Sequence, residues 1–167
     1  DFEQGANGTW NESSSNFGGA NSLILSGDQL QGNAPRSGSY AAWMGGAPNA
    51  VSDLSQALVV SAAQPLLQFY YQIASDDTCG NDAVTVQVNQ TAVQTIALCQ
   101  EKNTGGWTAA TVDLSAYAGQ SVTLHFHAKL NGSLNSNFFL DDVAFIARPG
   151  SDGGESAFRL FLPTMLK

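Results

Sequence analysis

Charge is scarce in this sequence, and positive charge is the scarcest. Only 12% of the 167 residues are charged, and acids outnumber bases 14 to 6, whereas an ordinary globular protein has about 25% charged residues. Nucleic acids and anionic membrane surfaces are both bound through clusters of Lys and Arg. We therefore predict no nucleic-acid partner and no docking on an anionic membrane.

Long hydrophobic runs and cysteines are also few. No apolar run reaches the roughly 18 residues that a membrane-spanning helix needs, so we predict no membrane insertion. The two cysteines, Cys79 and Cys99, lack the CxxC spacing of a zinc site. One disulfide in an oxidising compartment is the favoured interpretation, and two buried free thiols are the alternative. The start at Asp1 rather than Met adds the expectation of a mature or excised segment of a secreted, extracellular protein.

The motifs of common catalytic sites are missing as well. The sequence has no GxSxG, no HExxH and no P-loop, and its few charged residues supply little material for a nucleophile, a base and a stabiliser. We predict that the chain is not an enzyme. A hydrolase that pairs carboxylates such as Asp76 and Asp82 is the alternative.

Neutral polar residues and short apolar runs are what the sequence does contain. Ser, Thr, Asn and Gln account for 51 residues, and hydrophobic residues make up 43%, too many for a disordered chain. Alternating runs separated by Gly, Asn, Ser and Asp clusters are typical of antiparallel β-sandwiches. We predict strands over residues 22–25, 40–44, 55–60, 66–75, 83–89, 93–98, 108–113, 122–129 and 138–147.

These strands predict an all-β fold, an antiparallel jelly-roll β-sandwich of about eight or nine strands. In the run 121–129, apolar residues at the even positions alternate with Thr123, His125 and His127, which predicts a core face and an outward face. The sandwich is predicted to cover residues 1–147. A Gly/Ser linker at 148–156 and a short apolar tail at 157–167 follow.

Five segments together resemble one group of domains. They are DFEQG with Trp10, SGSYAAWMGG (37–46), SDDTCGNDAVTVQVN (75–89), GGWTAATVDLSAYAGQSVTLHF (105–126) and SNFFLDDVAF (136–145). They resemble the MAM-like and galactose-binding-like jelly rolls of secreted bacterial proteins, a group that includes carbohydrate-binding modules and accompanies extracellular proteases and glycosidases. The resemblance covers about residues 1–147 and implies a non-catalytic module.

The resemblance also implies a structural calcium ion. Relatives with this opening and the LDDV ending hold calcium, and the matching carboxylates here are Glu3 and Asp141. Carbonyls near Gly5 and Ser39 would complete the shell, and Asp142 is the second choice as a ligand.

The residues around Asp141 support this expectation independently. Asp141 alternates with the apolar residues 139, 143 and 145, and the whole chain has only six bases to pair with it. A buried carboxylate needs a partner or a metal ion, and calcium prefers oxygen ligands. The alternative is that Asp141 accepts backbone hydrogen bonds or points outward at a strand end.

Two further clusters contain metal-ligand residue types. Asp76, Asp77 and Asp82 lie around Cys79 but lack the DxDxDG form of a calcium loop. We interpret them as solvated turn acids, with a second cation site as the alternative. His125 and His127 project from one strand face, and with a carboxylate opposite such a pair could ligate zinc or iron. No nearby residue in the sequence supplies that third ligand, and we interpret the pair as surface histidines.

One predicted strand face has the composition of a sugar-binding surface. A flat ring among neutral hydrogen-bonding groups is what sugar recognition requires. The predicted ligand-binding set, assuming that neighbouring strands share one face, is Gln68, Tyr70, Gln72, Gln87, His125 and His127. We predict a glycan or cell-surface partner for this face, and interpret the three tryptophans as core or loop packing. The alternative is a structural or protein-interaction module of the cell envelope without a small ligand.

Overall fold

Two antiparallel sheets pack face to face, which confirms the predicted β-sandwich. The structure is a computed structural model that describes residues 1–16 and 22–149. The described residues form ten strands in two five-stranded sheets. The predicted linker is described only at Arg148 and Pro149, and the predicted tail at 157–167 lies outside the described residues. No helix among the described residues is long and apolar enough to cross a membrane.

The first sheet has the strand order β1-β4-β9-β6-β7, and the second sheet has the order β2-β3-β10-β5-β8. The strands are β1 (Asn11–Ser14), β2 (Ile24–Ser26), β3 (Tyr40–Gly45), β4 (Val51–Val59), β5 (Leu66–Ser75), β6 (Asp82–Val88), β7 (Thr91–Leu98), β8 (Thr108–Asp113), β9 (Ser121–Lys129) and β10 (Ser136–Ile146). Cys79 and Cys99 form the predicted disulfide, which joins the turn after β5 to the end of β7.

The main core lies between the sheets and follows the predicted alternation. On β6, Val84, Val86 and Val88 are fully buried between half-exposed neighbours. Across the sandwich, the rings of Phe69 and Phe126 meet edge to face with centroids 5.2 Å apart, a favoured aromatic geometry. This period-two burial holds each strand in register, because a slip of one residue would expose the apolar set.

A β-bulge in β10 changes which side chains face the core. The pairing with β5 runs regularly up to Asp141, then shifts before it resumes at Ala144, and Asp142 has a positive φ of 49°. Before the bulge, Phe138 and Leu140 are in the main core; after it, Val143 and Phe145 pack there. Asp141 therefore lies on the outer side of the second sheet. The prediction that Asp141 shares a face with residues 143 and 145 is wrong, because the bulge inverts the alternation.

The outer side of the second sheet is covered by the connection between β2 and β3. Leu30 in this connection is fully buried and forms a second small apolar cluster with Ala41 and Phe139. Trp43 and Trp107 pack against that cluster. We call this surface, under residues 30–37, the covered face. The outer side of the first sheet, which carries His125 and His127, we call the histidine face.

Candidate functional site

The predicted ligand-binding residues divide between the two outer surfaces. Tyr70 and its neighbours Gln68 and Gln72 lie on β5, in the second sheet, whereas Gln87, His125 and His127 lie on β6 and β9, in the first sheet. The outward side chains of two stacked sheets point in opposite directions. The prediction of one shared face is therefore wrong, and each half has to be considered with its own neighbours.

On the covered face, side chains from the β2–β3 connection contact β5. The Arg36 guanidinium lies over the Tyr70 ring, 3.5 Å from its centroid, which is a cation–π contact. Gln72 Nε2 donates a hydrogen bond to Asn33 Oδ1 at 3.2 Å. The ring that was predicted to be free for stacking thus has a cation on one side and remains half-buried.

Two tryptophans complete the covered face. Trp43 stacks on Phe139 with ring centroids 5.9 Å apart, and its indole N–H donates to Asn137 Oδ1 at 3.0 Å. Trp107 donates its indole N–H to the carbonyl of Ala34 at 3.1 Å. Trp10 is buried in the main core, as predicted. Both indoles on the covered face are half-buried and held by a hydrogen bond.

Asp141 sits at the rim of the covered face with backbone donors around it. Its Oδ2 accepts hydrogen bonds from the N–H groups of Arg36 at 2.8 Å and Ser37 at 3.2 Å. Its Oδ1 accepts the N–H of Asp142 at 2.7 Å. Asp141 has 0% exposure, and burial raises the pKa of its carboxyl even though these three donors lower it. The backbone hydrogen bonds of the alternative interpretation are therefore present.

The other predicted calcium ligands lie around the same connection. Glu3 accepts hydrogen bonds from the N–H groups of Ser39 at 2.7 Å and Tyr40 at 3.4 Å. Asp142 pairs with the Arg36 guanidinium. The carbonyls of the two remaining predicted ligands, Gly5 and Ser39, each accept a backbone N–H. The donor set is all oxygen, as calcium prefers, but the carboxylates already accept hydrogens, and calcium here stays a prediction.

The acids near the disulfide are mostly buried, so their interpretation as solvated turn acids is wrong for two of the three. Asp77 accepts hydrogen bonds from the Thr78 N–H at 2.7 Å and from the Ser133 hydroxyl at 3.2 Å. Asp82 accepts the Asn131 N–H at 2.7 Å and the Ser136 hydroxyl at 2.6 Å. The bonds from residues 131 and 133 tie the β9–β10 connection to the start of β6 and to the turn before it. Only Asp76 is exposed.

The histidine face holds a carboxylate that the sequence analysis did not find. Asp53 on β4 pairs in register with His127 on β9. Its Oδ1 is 2.8 Å from His125 Nε2 and 2.7 Å from His127 Nδ1. Among the described residues, these three are the one set of at least three His, Cys, Asp or Glu side chains with donor atoms within 4.8 Å of one another.

The two antiparallel five-stranded sheets and their packed core define a jelly-roll β-sandwich domain. Within that class, the chain belongs to the MAM domain family (meprin/A5/mu), whose family model matches residues 1–150. The family assignment confirms the resemblance that the five sequence segments indicated. The chain has no significant match among curated proteins.

Solved structures with the same fold include adhesin and carbohydrate-binding domains. The K1 cleaved adhesin domain of Lys-gingipain from Porphyromonas gingivalis matches with a TM-score of 0.62 and 16% identity, over 89% of this chain and 96% of that one. The K2 cleaved adhesin domain of Lys-gingipain matches with 0.61 and 24%, over 86% and 95%. TmCBM61, solved in complex with β-1,4-galactotriose, matches with 0.56 and 12%, over 88% and 94%. At these identities the likeness establishes the fold.

Proposed function

We propose that this chain is a non-catalytic, extracellular binding module that holds a neutral carbohydrate against the covered face. Two observations support the general class. The chain belongs to the MAM domain family, and its fold is shared by adhesin domains and by a carbohydrate-binding module solved with a galactose oligosaccharide. The disulfide between Cys79 and Cys99 fits an oxidising, extracellular setting.

The ligand class is inferred from one observation, the set of aromatic rings on the covered face. Tyr70, Trp43 and Trp107 are half-buried there, beside the amides of Asn33 and Gln72. Rings offer an apolar surface for the C–H groups of a sugar, and amides offer directional hydrogen bonds to its hydroxyls. Because hydrogen bonds and packing already hold these side chains, binding costs little additional side-chain entropy.

The histidine face lacks such rings. Besides the two histidines, the strands of the first sheet contain one aromatic residue, Phe126, which is buried in the core. Sugar stacking is therefore proposed for one outer surface alone. Gln68, Tyr70 and Gln72 stay in the proposed glycan site, and Gln87, His125 and His127 leave it.

A glycan array probed with the purified chain tests this function. We expect binding to at least one neutral polysaccharide, with affinity reduced about tenfold or more by Trp107→Ala and by Tyr70→Ala. His127→Gln, on the opposite surface, is the matched control and should bind normally. No binding to any glycan, or loss caused by His127→Gln and by neither ring variant, would contradict the proposal and favour a protein-interaction module.

Calcium is the second part of the proposed function, and the burial of Asp141 supports it. The Arg36 guanidinium makes its hydrogen bond to Asp142 rather than to Asp141. Within the part of the chain that the structure describes, Asp141 accepts hydrogen bonds only from backbone N–H groups. A buried carboxylate without a cationic hydrogen-bond partner is costly. Calcium held by Asp141 and Glu3 would supply that positive charge and would fix residues 36–40 at the edge of the covered face.

A further inference from the structure

Three metal-ligand side chains converge on the histidine face, and the sheet itself places them. His125 and His127 are two residues apart on β9 and therefore project from the same side. Asp53 comes from the neighbouring strand β4, directly opposite His127. One carboxylate oxygen, Asp53 Oδ1, lies 2.8 Å from His125 Nε2 and 2.7 Å from His127 Nδ1. Two paired strands thus bring two ring nitrogens within hydrogen-bond distance of one carboxylate oxygen.

A fourth side chain orients one of the imidazoles. Gln87 on β6 lies opposite His125, and its Oε1 is 3.3 Å from His125 Nδ1. An amide oxygen accepts and does not donate, so a hydrogen bond at this contact uses a proton on Nδ1 and leaves Nε2 to face Asp53. In a neutral ring, Nε2 then directs its lone pair at Asp53 Oδ1. Two lone pairs at this distance repel unless a proton or a metal ion lies between them.

We propose that Asp53, His125 and His127 bind a divalent first-row transition ion, with Zn²⁺ as the defining probe. Two imidazoles and a carboxylate suit zinc, copper, nickel or iron, whereas calcium prefers a shell of oxygens alone. A ligating histidine usually donates its second ring N–H to an acceptor that fixes its orientation. Gln87 occupies that position toward His125.

To accept the ion, the two contacts to Asp53 must lengthen, and the two ring nitrogens already lie within 4.8 Å of each other. Donor atoms about 2.0–2.1 Å from a tetrahedral zinc lie roughly 3.3 Å apart, so the present contacts of 2.7 and 2.8 Å must open by about half an ångström. The side chains of His125, His127 and Asp53 are 26%, 29% and 32% exposed. An ion can therefore enter from solvent, and its remaining position is open to water or to a donor from a partner.

Calorimetric titration of the untagged chain with Zn²⁺ tests this site, in millimolar calcium so that the proposed calcium site at Glu3 and Asp141 is occupied throughout. We expect one zinc per chain, with affinity reduced at least about tenfold by His127→Gln and by Asp53→Asn. Gln87→Leu should also reduce affinity, by about tenfold. Asp76→Asn, which alters an exposed acid elsewhere on the surface, is the control and should leave the affinity unchanged. Cu²⁺ should bind more tightly than Zn²⁺.

Imidazole nitrogen NMR of the unmodified chain tests the same site without relying on any variant. The chain has only two histidines, so all imidazole signals belong to His125 and His127. Zinc should shift the resonances of His125 Nε2 and His127 Nδ1 and leave a proton on His125 Nδ1. Absence of saturable zinc binding, unshifted imidazole nitrogens, or an affinity unchanged in folded His127→Gln would each overturn the proposal.

Discussion

The two outer surfaces of this sandwich are built from the same alternating strands but are completed in different ways. On the covered face, the connection between β2 and β3 lies over the second sheet and buries Leu30 against Phe139. On the histidine face, the polar side chains of β4 and β9 contact one another and remain half-exposed. The first arrangement makes a preorganised surface of rings and amides. The second leaves metal-ligand groups open to solvent.

An outward strand position has no fixed chemical role in this sandwich. Tyr70 and His125 both occupy outward positions on central strands. Arg36 lies over one side of the Tyr70 ring, whereas His125 keeps its polar neighbours Asp53 and Gln87. The long connection, rather than the strand itself, decides which outward side chains are covered.

Replacing Leu30, which packs the β2–β3 connection onto the second sheet, should have the largest effect on the free energy of unfolding. Leu30→Ala deletes a fully buried side chain and should lower the free energy of unfolding by about 2–5 kcal/mol, as measured by urea denaturation. Val59→Ala, at a side chain that is 61% exposed, is the control and should change it by less than about 0.5 kcal/mol. Zinc affinity should survive Leu30→Ala. A parallel loss of zinc affinity would contradict the independence of the two surfaces.

Removing calcium with a chelator should have the second-largest effect on the stability of the chain. At calcium about a hundredfold above its Kd, binding contributes about 2.7 kcal/mol, which corresponds to a fall in Tm of about 5–10 °C on chelation for a chain of this size. Differential scanning calorimetry with and without chelator measures it. Glu3→Gln combined with Asp141→Asn should abolish the response, and Asp28→Asn should keep it. An unchanged Tm in the unmodified chain would contradict the calcium site.

Protonation of Asp141 makes the free energy of unfolding depend on pH. Burial raises the pKa of this carboxyl above its ordinary value, so the folded state holds the proton more tightly than the unfolded state does. Between the unfolded and folded pKa values, the contribution of Asp141 to the free energy of unfolding therefore falls as pH rises. Carboxyl carbon NMR in chelator should show the raised pKa, and calcium should lower it. A pKa at or below the ordinary value in chelator would contradict this account.

The cation over Tyr70 should have the smallest effect on stability. Arg36→Gln removes a cation–π contact and an ion pair with Asp142, both close to solvent, and should therefore lower the urea midpoint of unfolding only slightly. Lys129→Gln removes a positive charge at the end of β9 and is the matched control. If both variants unfold at the same urea concentration as the unmodified chain, Arg36 does not hold the covering connection in place.

Local alternation in the sequence predicts most of the strands, because each apolar run must bury one face. The strand Asn11–Ser14 was not predicted, since its sequence NESS has no apolar residue to bury. The strand predicted over 55–60 begins at Val51 in the structure. That difference matters for function, because Asp53 lies in the omitted part and supplies the carboxylate opposite the histidines.

The contacts on the covered face could not be predicted from the local sequence pattern. Arg36 and Asp141 are 105 residues apart in the chain, and nothing in either segment indicates their contact. The sequence does not reveal the bulge after Asp141, because apolar residues continue on both sides of it. Sequence thus predicts which residues alternate, whereas long connections and bulges decide which of them meet.

Amide NMR mapping of ligand binding shows whether the two outer surfaces bind different ligands. Labelled protein would be titrated with Zn²⁺ and, separately, with the neutral oligosaccharide that binds most tightly in the glycan array. We expect two separate sets of shifted amides: zinc should move those around Asp53 and His127, and the sugar should move those around Tyr70, Trp43 and Trp107. Sugar-induced shifts centred on His125 and His127, with the amides of the covered face unmoved, would contradict it.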